Sequence, residues 1–563
     1  MTSLWRRLRQ LAGDPVLRRW LLERAIGRTP GPPNFRPGHP PYLASLALAG
    51  APQDAKPRSI EPAPPIAPIE LPLAGERVRV EPVAIEALFE RAWPDIETFL
   101  SLHRFAWLPI LGRAADPTWV AALLQIWRAR FGTPDNAWPW HPYTAAERAI
   151  NLLDFTHLIG WPGTAKDYVD FFATHARIIA ERLEYFGPHY TGNHLSNNGR
   201  GLFRIGLALD WKDAADRGVR ILLEEGKRLF GPAGILNEGS SHYHLLLARN
   251  YVDAWRTARA AGRPETAELE RIAAGALAAI SNVVLPGGLA LVGDISPDCP
   301  PDFLSGLAPH GPRGGGWLDL LEPTERDAVR ELRDTATPVG PGDAQGWLKA
   351  AFGKWSGLWQ ASPEGWAPMP GHGHQDLGSF ELHWLDKPLF IDPGRGAYGE
   401  TGPAAHYRSG AAHNGLLIDD GDPMPPNRPY YHPEFRRKVG GPPPVLRRSE
   451  NGVDLEFSSQ GSAVSRRWRF HAQGLSIVDE VQGTGRHRLA RRLHTDWSVE
   501  QAGEGVRLTS PVGRFFVRAE GTIRIEPVTR WTAYGVGSPA TALVIEDRAK
   551  LPWRSRIEIT VDG

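Results

Sequence analysis

A chain of 563 residues with 42% hydrophobic and 23% charged side chains is too long for one core, so two or three globular domains are expected. The 64 basic and 63 acidic side chains leave a formal charge of +1, which excludes the basic surplus of a nucleic-acid-binding body. A single cysteine excludes an intrachain disulfide and a cysteine-based metal site, so any metal would use His, Asp or Glu.

The N-terminus, MTSLWRRLRQLAGDPVLRRWLLERAIGR, has no uninterrupted apolar stretch, so no signal peptide is read. No apolar run approaches the roughly 20 residues of a membrane-spanning helix. Leu4, Trp5, Leu8, Leu11, Leu17, Leu21 and Leu22 recur at helical spacing with arginines between them. Residues 1–30 are therefore expected to form an amphipathic helix, docked on the body or lying on a membrane surface. The expected location leans to the cytoplasm, with the periplasm and a membrane-peripheral place left open.

Residues 31–80 are proline-rich (TPGPPNFRPGHPPY, PRSIEPAPPIAPIELP) and read as a linker or an extended arm. Residues 81–345 carry consecutive amphipathic helical patterns with short Gly/Pro breaks, among them PTWVAALLQIWRARF, TAAERAINLLDFTHLIGW and AKDYVDFFATHARIIAERLEYF. Helical hairpins packed in a ring or solenoid are expected. Residues 346–563 change texture, to short strands with Gly-rich breaks. In SFELHWLDKPLFIDPG, Phe380, Leu382 and Trp384 alternate with Ser379, Glu381 and His383, and a turn is expected at Asp386–Lys387. This half is expected to be an antiparallel sandwich. The junction of two such domains suits a chain-shaped ligand. Of the 21 tryptophans most are expected in the core, and some as stacking faces for sugar rings.

Three stretches carry chemistry. In GHGHQD, His372 and His374 stand two apart, Asp392 follows in FIDPG, and His413 in SGAAHNGLLID. Two imidazoles and one carboxylate make a sound zinc set if His374, Asp392 and His413 converge; otherwise they are separate hydrogen-bonded polar residues. In YFGPHYTGNHLSNNGRGLF, Asn193, His194, Asn197 and Asn198 crowd the opening of a helix, more than capping by Asn193 or Asn197 requires. In GILNEGSSHYHLLLARNY, Glu238, Ser240 and Ser241 precede a helix with Tyr243 in its first turn. There the helix dipole can lower a phenol's pKa, or Tyr243 is simply packed.

These segments together with WPWHPYTAAERAINLLDF, in this order, resemble the heparinase II/III-like polysaccharide lyases, over roughly residues 85–560. HRLARRLHTDW at 486–497 resembles a late sandwich segment of the same family. The resemblance implies an incomplete (α/α) toroid followed by an antiparallel β-sandwich. It implies a largely structural zinc on His374, Asp392 and His413, with His372 as a catalytic histidine beside it. Asn193 or His194 would neutralise the substrate carboxylate and Tyr243 would be the principal acid/base. Asn197, Arg200 and Glu238 are the expected substrate-binding residues. The implied partner is an acidic polysaccharide or oligosaccharide cleaved by β-elimination. The balanced charge and the lack of a long basic segment point to a lightly sulfated or unsulfated one. Two other readings stay open: a glycoside hydrolase using Glu238 and Asp376, and a non-catalytic glycan-binding protein on the same fold.

Overall fold

Several helix starts in the helical part of the chain fall where the sequence supplies a cap or a proline. Asp116 accepts from the Thr118 amide ahead of Pro117–Phe131. Thr164 and Asp167 form a capping box ahead of Ala165–Glu181. Pro142 and Pro323 occupy first helical positions, where no amide hydrogen is needed. The computed structural model describes residues 18, 22–23, 25–27, 37–187, 190–369, 371–425 and 441–562. The N-terminal helix expected over residues 1–30 lies outside the described residues, apart from those six positions. Among the described residues no helix is long and apolar enough to cross a membrane.

The helices alternate in burial. Pro142–Leu158, His194–Ala208 and Ser241–Ala260 are buried on nearly every side. Ala165–Glu181, Lys212–Leu229 and Thr266–Ala279 bury one stripe and expose the other. Each inner helix packs against the outer helix that follows it, giving the inner and outer rings of an (α/α) toroid. Gly218 lies against the backbone of Phe203, and Gly206 against that of Ala215, which lets His194–Ala208 and Lys212–Leu229 approach closely.

The proline-rich stretch is an arm rather than a free linker. Gly38 bonds to the Tyr185 carbonyl at 2.6 Å, and the Trp211 indole donates to the Ala49 carbonyl at 2.8 Å. The arm ends in a hairpin, Ile69–Leu73 with Glu76–Val80, whose Leu71 and Val80 are core residues.

From Trp347 onward the chain is antiparallel sheet. Four strands run Lys387–Phe390, Phe380–Trp384, Trp355–Gln360, Trp347–Phe352 across one sheet. Four more run Leu416–Ile418, Arg486–Thr495, Val536–Lys550, Thr522–Ala533, and an eight-stranded sheet spans Val445–Ser449 to Ser498–Ala502. The fold is thus a helical toroid followed by a β-sandwich, as expected. Two details differ. The Phe380–Trp384 hairpin turns at Leu385–Asp386, one residue early, with Leu385 at φ 56°. All five residues of that strand are buried, because the sheet is covered on both faces; Glu381 and His383 meet this by bonding each other at 2.9 Å.

Candidate active site

Three loops close on one another where the halves meet. The Met369 amide donates to the Asn237 carbonyl at 3.0 Å, the His372 amide to the Glu238 carbonyl at 3.1 Å, and the Asp294 amide to the His372 carbonyl at 2.9 Å. Glycine is required at two crossings. Gly239 and Gly293 both have φ 77°, and a β-carbon on Gly239 would meet the Gly373 Cα at 2.9 Å. Ser240 caps the Ser241–Ala260 helix by accepting from the Tyr243 amide at 3.1 Å, which fixes where Tyr243 leaves the first turn. The result is a flat stack of the Tyr243 and His372 rings, centroids 3.4 Å apart and planes 10° from parallel.

Asn193 occupies the N-cap position of His194–Ala208, yet its side chain makes no cap bond. Its amide Nδ2 donates to Glu238 Oε2 at 2.7 Å and lies 3.3 Å from His372 Nε2, while its backbone N–H donates to Glu238 Oε1 at 2.7 Å. Glu238 is fully buried, so it orients Asn193 and presents no face to a ligand. His372 Nδ1 bonds Asp294 Oδ2 at 3.1 Å. A carboxylate only accepts, so the ring proton is assigned to Nδ1 and the Nε2 lone pair is left toward Asn193. The other Asp294 oxygen accepts from His374 Nε2 and from Arg395 Nη1, each at 2.8 Å. Burial alone would raise the Asp294 carboxyl, but His372 and His374 hold it well below the ordinary carboxylate range.

Tyr243 does not gain acidity from the helix dipole. Burial first, and then the negative Asp298, push its phenol well above the ordinary value, outweighing a partial charge at a helix end. Its hydroxyl is 2.5 Å from that of Tyr398. His194 stands at the rim with its side chain 46% exposed and Nδ1 bonded to Glu184 Oε1 at 2.7 Å. Its ring lies 4.3 Å from that of Tyr143. Desolvation works against its protonated form, but Glu184 prevails and raises its pKa.

Arg200 is not at the site. It is 1% exposed, and it donates to Asp253 at 2.7 Å and Glu147 at 3.3 Å inside the toroid. Asn197 is as deeply buried, with neither amide atom bonded to protein. Both lie on the inner helix below Asn193 and offer no surface to a polymer.

His374, Asp392 and His413 do gather. His413 Nδ1 bonds Asp392 Oδ2 at 2.7 Å, and the two histidine rings are 5.3 Å apart. His374 Nδ1 and His413 Nε2 are buried without a hydrogen-bond partner, which fits two donors for a cation. Among the described residues, however, no three His, Cys, Asp or Glu side chains are spaced as a metal set, and Asp392 Oδ2 is bonded to His413. Asp376 is buried beside this group, its carboxyl pushed up to about 7 by burial.

Asp294, Arg395 and Tyr398 are absent from the sequence expectations. Asp294 sits in VGDISPD, a loop with no periodicity. The signal available was the positive-φ Gly293 beside it, visible only once a close crossing is known. Arg395 and Tyr398 follow FIDPG within six residues of Asp392, and sequence proximity to a candidate ligand was their one cue.

The chain is thus a toroid of paired helices joined to an antiparallel sandwich, with a tyrosine, an amide and a histidine converging at the junction. Residues 334–558 match the family described as Heparinase II/III-like, C-terminal. Among solved structures, a crystal structure of heparinase III superposes with a TM-score of 0.62 at 17% identity, covering 84% of this chain and 78% of that one. A mutant of heparan sulfate lyase HepC from Pedobacter heparinus gives 0.54 at 16% identity, over 84% of this chain and 78% of that one. At these identities the likeness establishes the shared fold. No curated protein matches the sequence.

Proposed function

We propose that this protein is a polysaccharide lyase that breaks a uronic-acid-containing polysaccharide or oligosaccharide by β-elimination. The observation that carries the reading is the contact across the two halves: Tyr243 stacked on His372, with the Asn193 amide 3.3 Å from His372 Nε2. The fold shared with heparinase III and heparan sulfate lyase supports it.

The C5 proton of a uronic acid is α to a carboxylate and only weakly acidic. Asn193 and His194, whose protonated form Glu184 favours, bind that carboxylate and stabilise the charge that develops as C5 is deprotonated. His372 Nε2, left unprotonated by the Nδ1–Asp294 bond and facing the Asn193 amide, takes the proton as that amide shifts to the substrate carboxylate. The C4–oxygen bond breaks, a C4=C5 double bond forms, and Tyr243 donates its proton to the departing oxygen. A phenol whose pKa is raised by burial is held in the protonated form this step needs. The Tyr398 hydroxyl, 2.5 Å away, then bonds the phenolate left behind. Loss of the proton from His372 and its return to Tyr243 reset the site. His374, Asp392 and His413 are the residues that would hold a zinc ion, with Asp392 turned from His413 toward it; the ion would supply a cross-link bracing the loop that carries His372. Balanced charge favours a lightly sulfated or unsulfated substrate.

Incubation with a panel of acidic polysaccharides tests the reaction. Unsaturated products absorbing in the near ultraviolet are expected, and cleavage that adds water without this absorbance overturns the reading. Metal analysis of the purified protein is expected to find zinc, and to find it lost in His413→Ala; a wild-type protein loaded with zinc in growth and still metal-free contradicts the zinc assignment.

A further inference from the structure

The motif WPW sends its two tryptophans in opposite directions. Trp138–Trp140 is a single 3-10 turn with Pro139 at its second position. Trp140 goes inward: its indole donates to the Phe131 carbonyl at 2.6 Å, and its ring packs on Trp127 and His175. The Pro139 carbonyl between them is held by buried Arg148 at 2.8 Å. Trp138 is thereby fixed outward, 53% exposed, more than any other tryptophan among the described residues. A lone exposed apolar ring needs no explanation. This one is rigidly presented and continues into the site. The His141 ring lies 5.3 Å from Trp138. His141 Nε2 is 3.5 Å from Glu184 Oε1, the same oxygen that His194 Nδ1 meets at 2.7 Å. His194 is next in the chain to Asn193, which reaches His372.

We infer that Trp138 is a stacking platform for a sugar ring of the polymer at a subsite outward from the reacting unit, with His141 and His194 as the polar edges between the two. The inference rests on the proposed lyase site for its direction, but the platform is a binding feature in its own right. An indole face suits the apolar C–H face of a pyranose, and the imidazole edges suit its hydroxyl and carboxylate groups.

The test is equilibrium binding of the full chain to heparan sulfate, chondroitin sulfate, hyaluronan and alginate, with near-ultraviolet product assays alongside. Wild type, Trp138→Ala and Trp138→Phe are compared. On the polymer that binds wild type, Trp138→Ala is expected to weaken affinity about three- to ten-fold and Trp138→Phe less than about two-fold. The KM on polymer is expected to rise in parallel with kcat unchanged, and cleavage of the shortest oligosaccharide to be unaffected. Equal affinity of all three proteins overturns the platform, even where unsaturated product forms. Trp138-dependent binding without unsaturated product keeps the platform and overturns the elimination chemistry instead. A wild type that binds none of the four polymers overturns both.

Discussion

The inner helix His194–Ala208, with its N-cap, carries one polar stripe with two different ends. Asn193, Asn197, Arg200 and Arg204 recur at spacings of four, three and four, so they share a face. At the deep end every charge is answered. Arg200 and Arg204 bond Asp253 at 2.7 Å, Arg204 also bonds Asp154 at 2.5 Å, and Arg256 closes on Asp253 at 2.6 Å. At the mouth the accounting is left open: Asn193 points an amide at a histidine lone pair, and His194 is half in solvent. Residues of the same kind on the same face are structural at one end and positioned for chemistry at the other. What separates them is position along the axis, about 10 Å for the seven residues from Asn193 to Arg200 at 1.5 Å each.

Substitutions at the two ends break this comparison in opposite ways. At the mouth, Tyr243→Phe is expected to lower turnover by about 10²–10⁴ while the melting temperature stays within a few degrees of wild type. At the deep end, Arg200→Met leaves Asp253 and Glu147 short of a partner and is expected to cost about 3–5 kcal/mol of stability, read by chemical denaturation. The folded fraction of that variant keeps wild-type KM. Loss of substrate affinity in an otherwise stable Arg200→Met protein would return Arg200 to the site.

Asp294→Asn sharpens the boundary from the β side. It removes the acceptor that fixes the His372 ring proton, and turnover is expected to fall about 10–100-fold, with KM nearly unchanged. Unaltered kinetics would show that another group sets the His372 tautomer.

The smallest effect is on acid stability. Burial raises the Asp253 carboxyl, but Arg204, Arg200 and Arg256 outweigh it and hold the folded-state pKa well below the ordinary 3.8. A depressed carboxylate contributes stability above its unfolded value and loses it as pH falls toward the folded one. The contribution is therefore complete at neutral pH and declines below pH 3.8. Wild type is expected to lose stability steeply in that window, and Asp253→Asn, already weakened at neutral pH, to show a flatter acid limb in pH-dependent melting.

Much of this was legible from periodicity. Helix and strand textures placed the toroid and the sandwich, and the GHGHQD, IDPG and AHN segments placed the histidines now seen near Asp294 and Asp392. The failures share a cause. Arg200 and Asn197 were read with Asn193 because they are close in sequence, but a helix converts sequence distance into depth, and no one-dimensional pattern says which turn reaches the surface. Strand alternation in Phe380–Trp384 does not show that both faces are buried, because coverage by a second layer is a tertiary fact. Asp294 was invisible because its importance comes from three loops crossing at Gly239, Gly293 and Gly373, which are distant in the sequence.

The central claim is that side chains from the two halves work as one unit. A double-mutant cycle of turnover on Tyr243→Phe and His372→Ala addresses it directly. If the pair acts together, the double variant is expected to be hardly worse than the more damaged single one, because either loss already disables the step. Two losses that simply multiply would mean that Tyr243 and His372 act independently, and the junction would not be the site of the reaction.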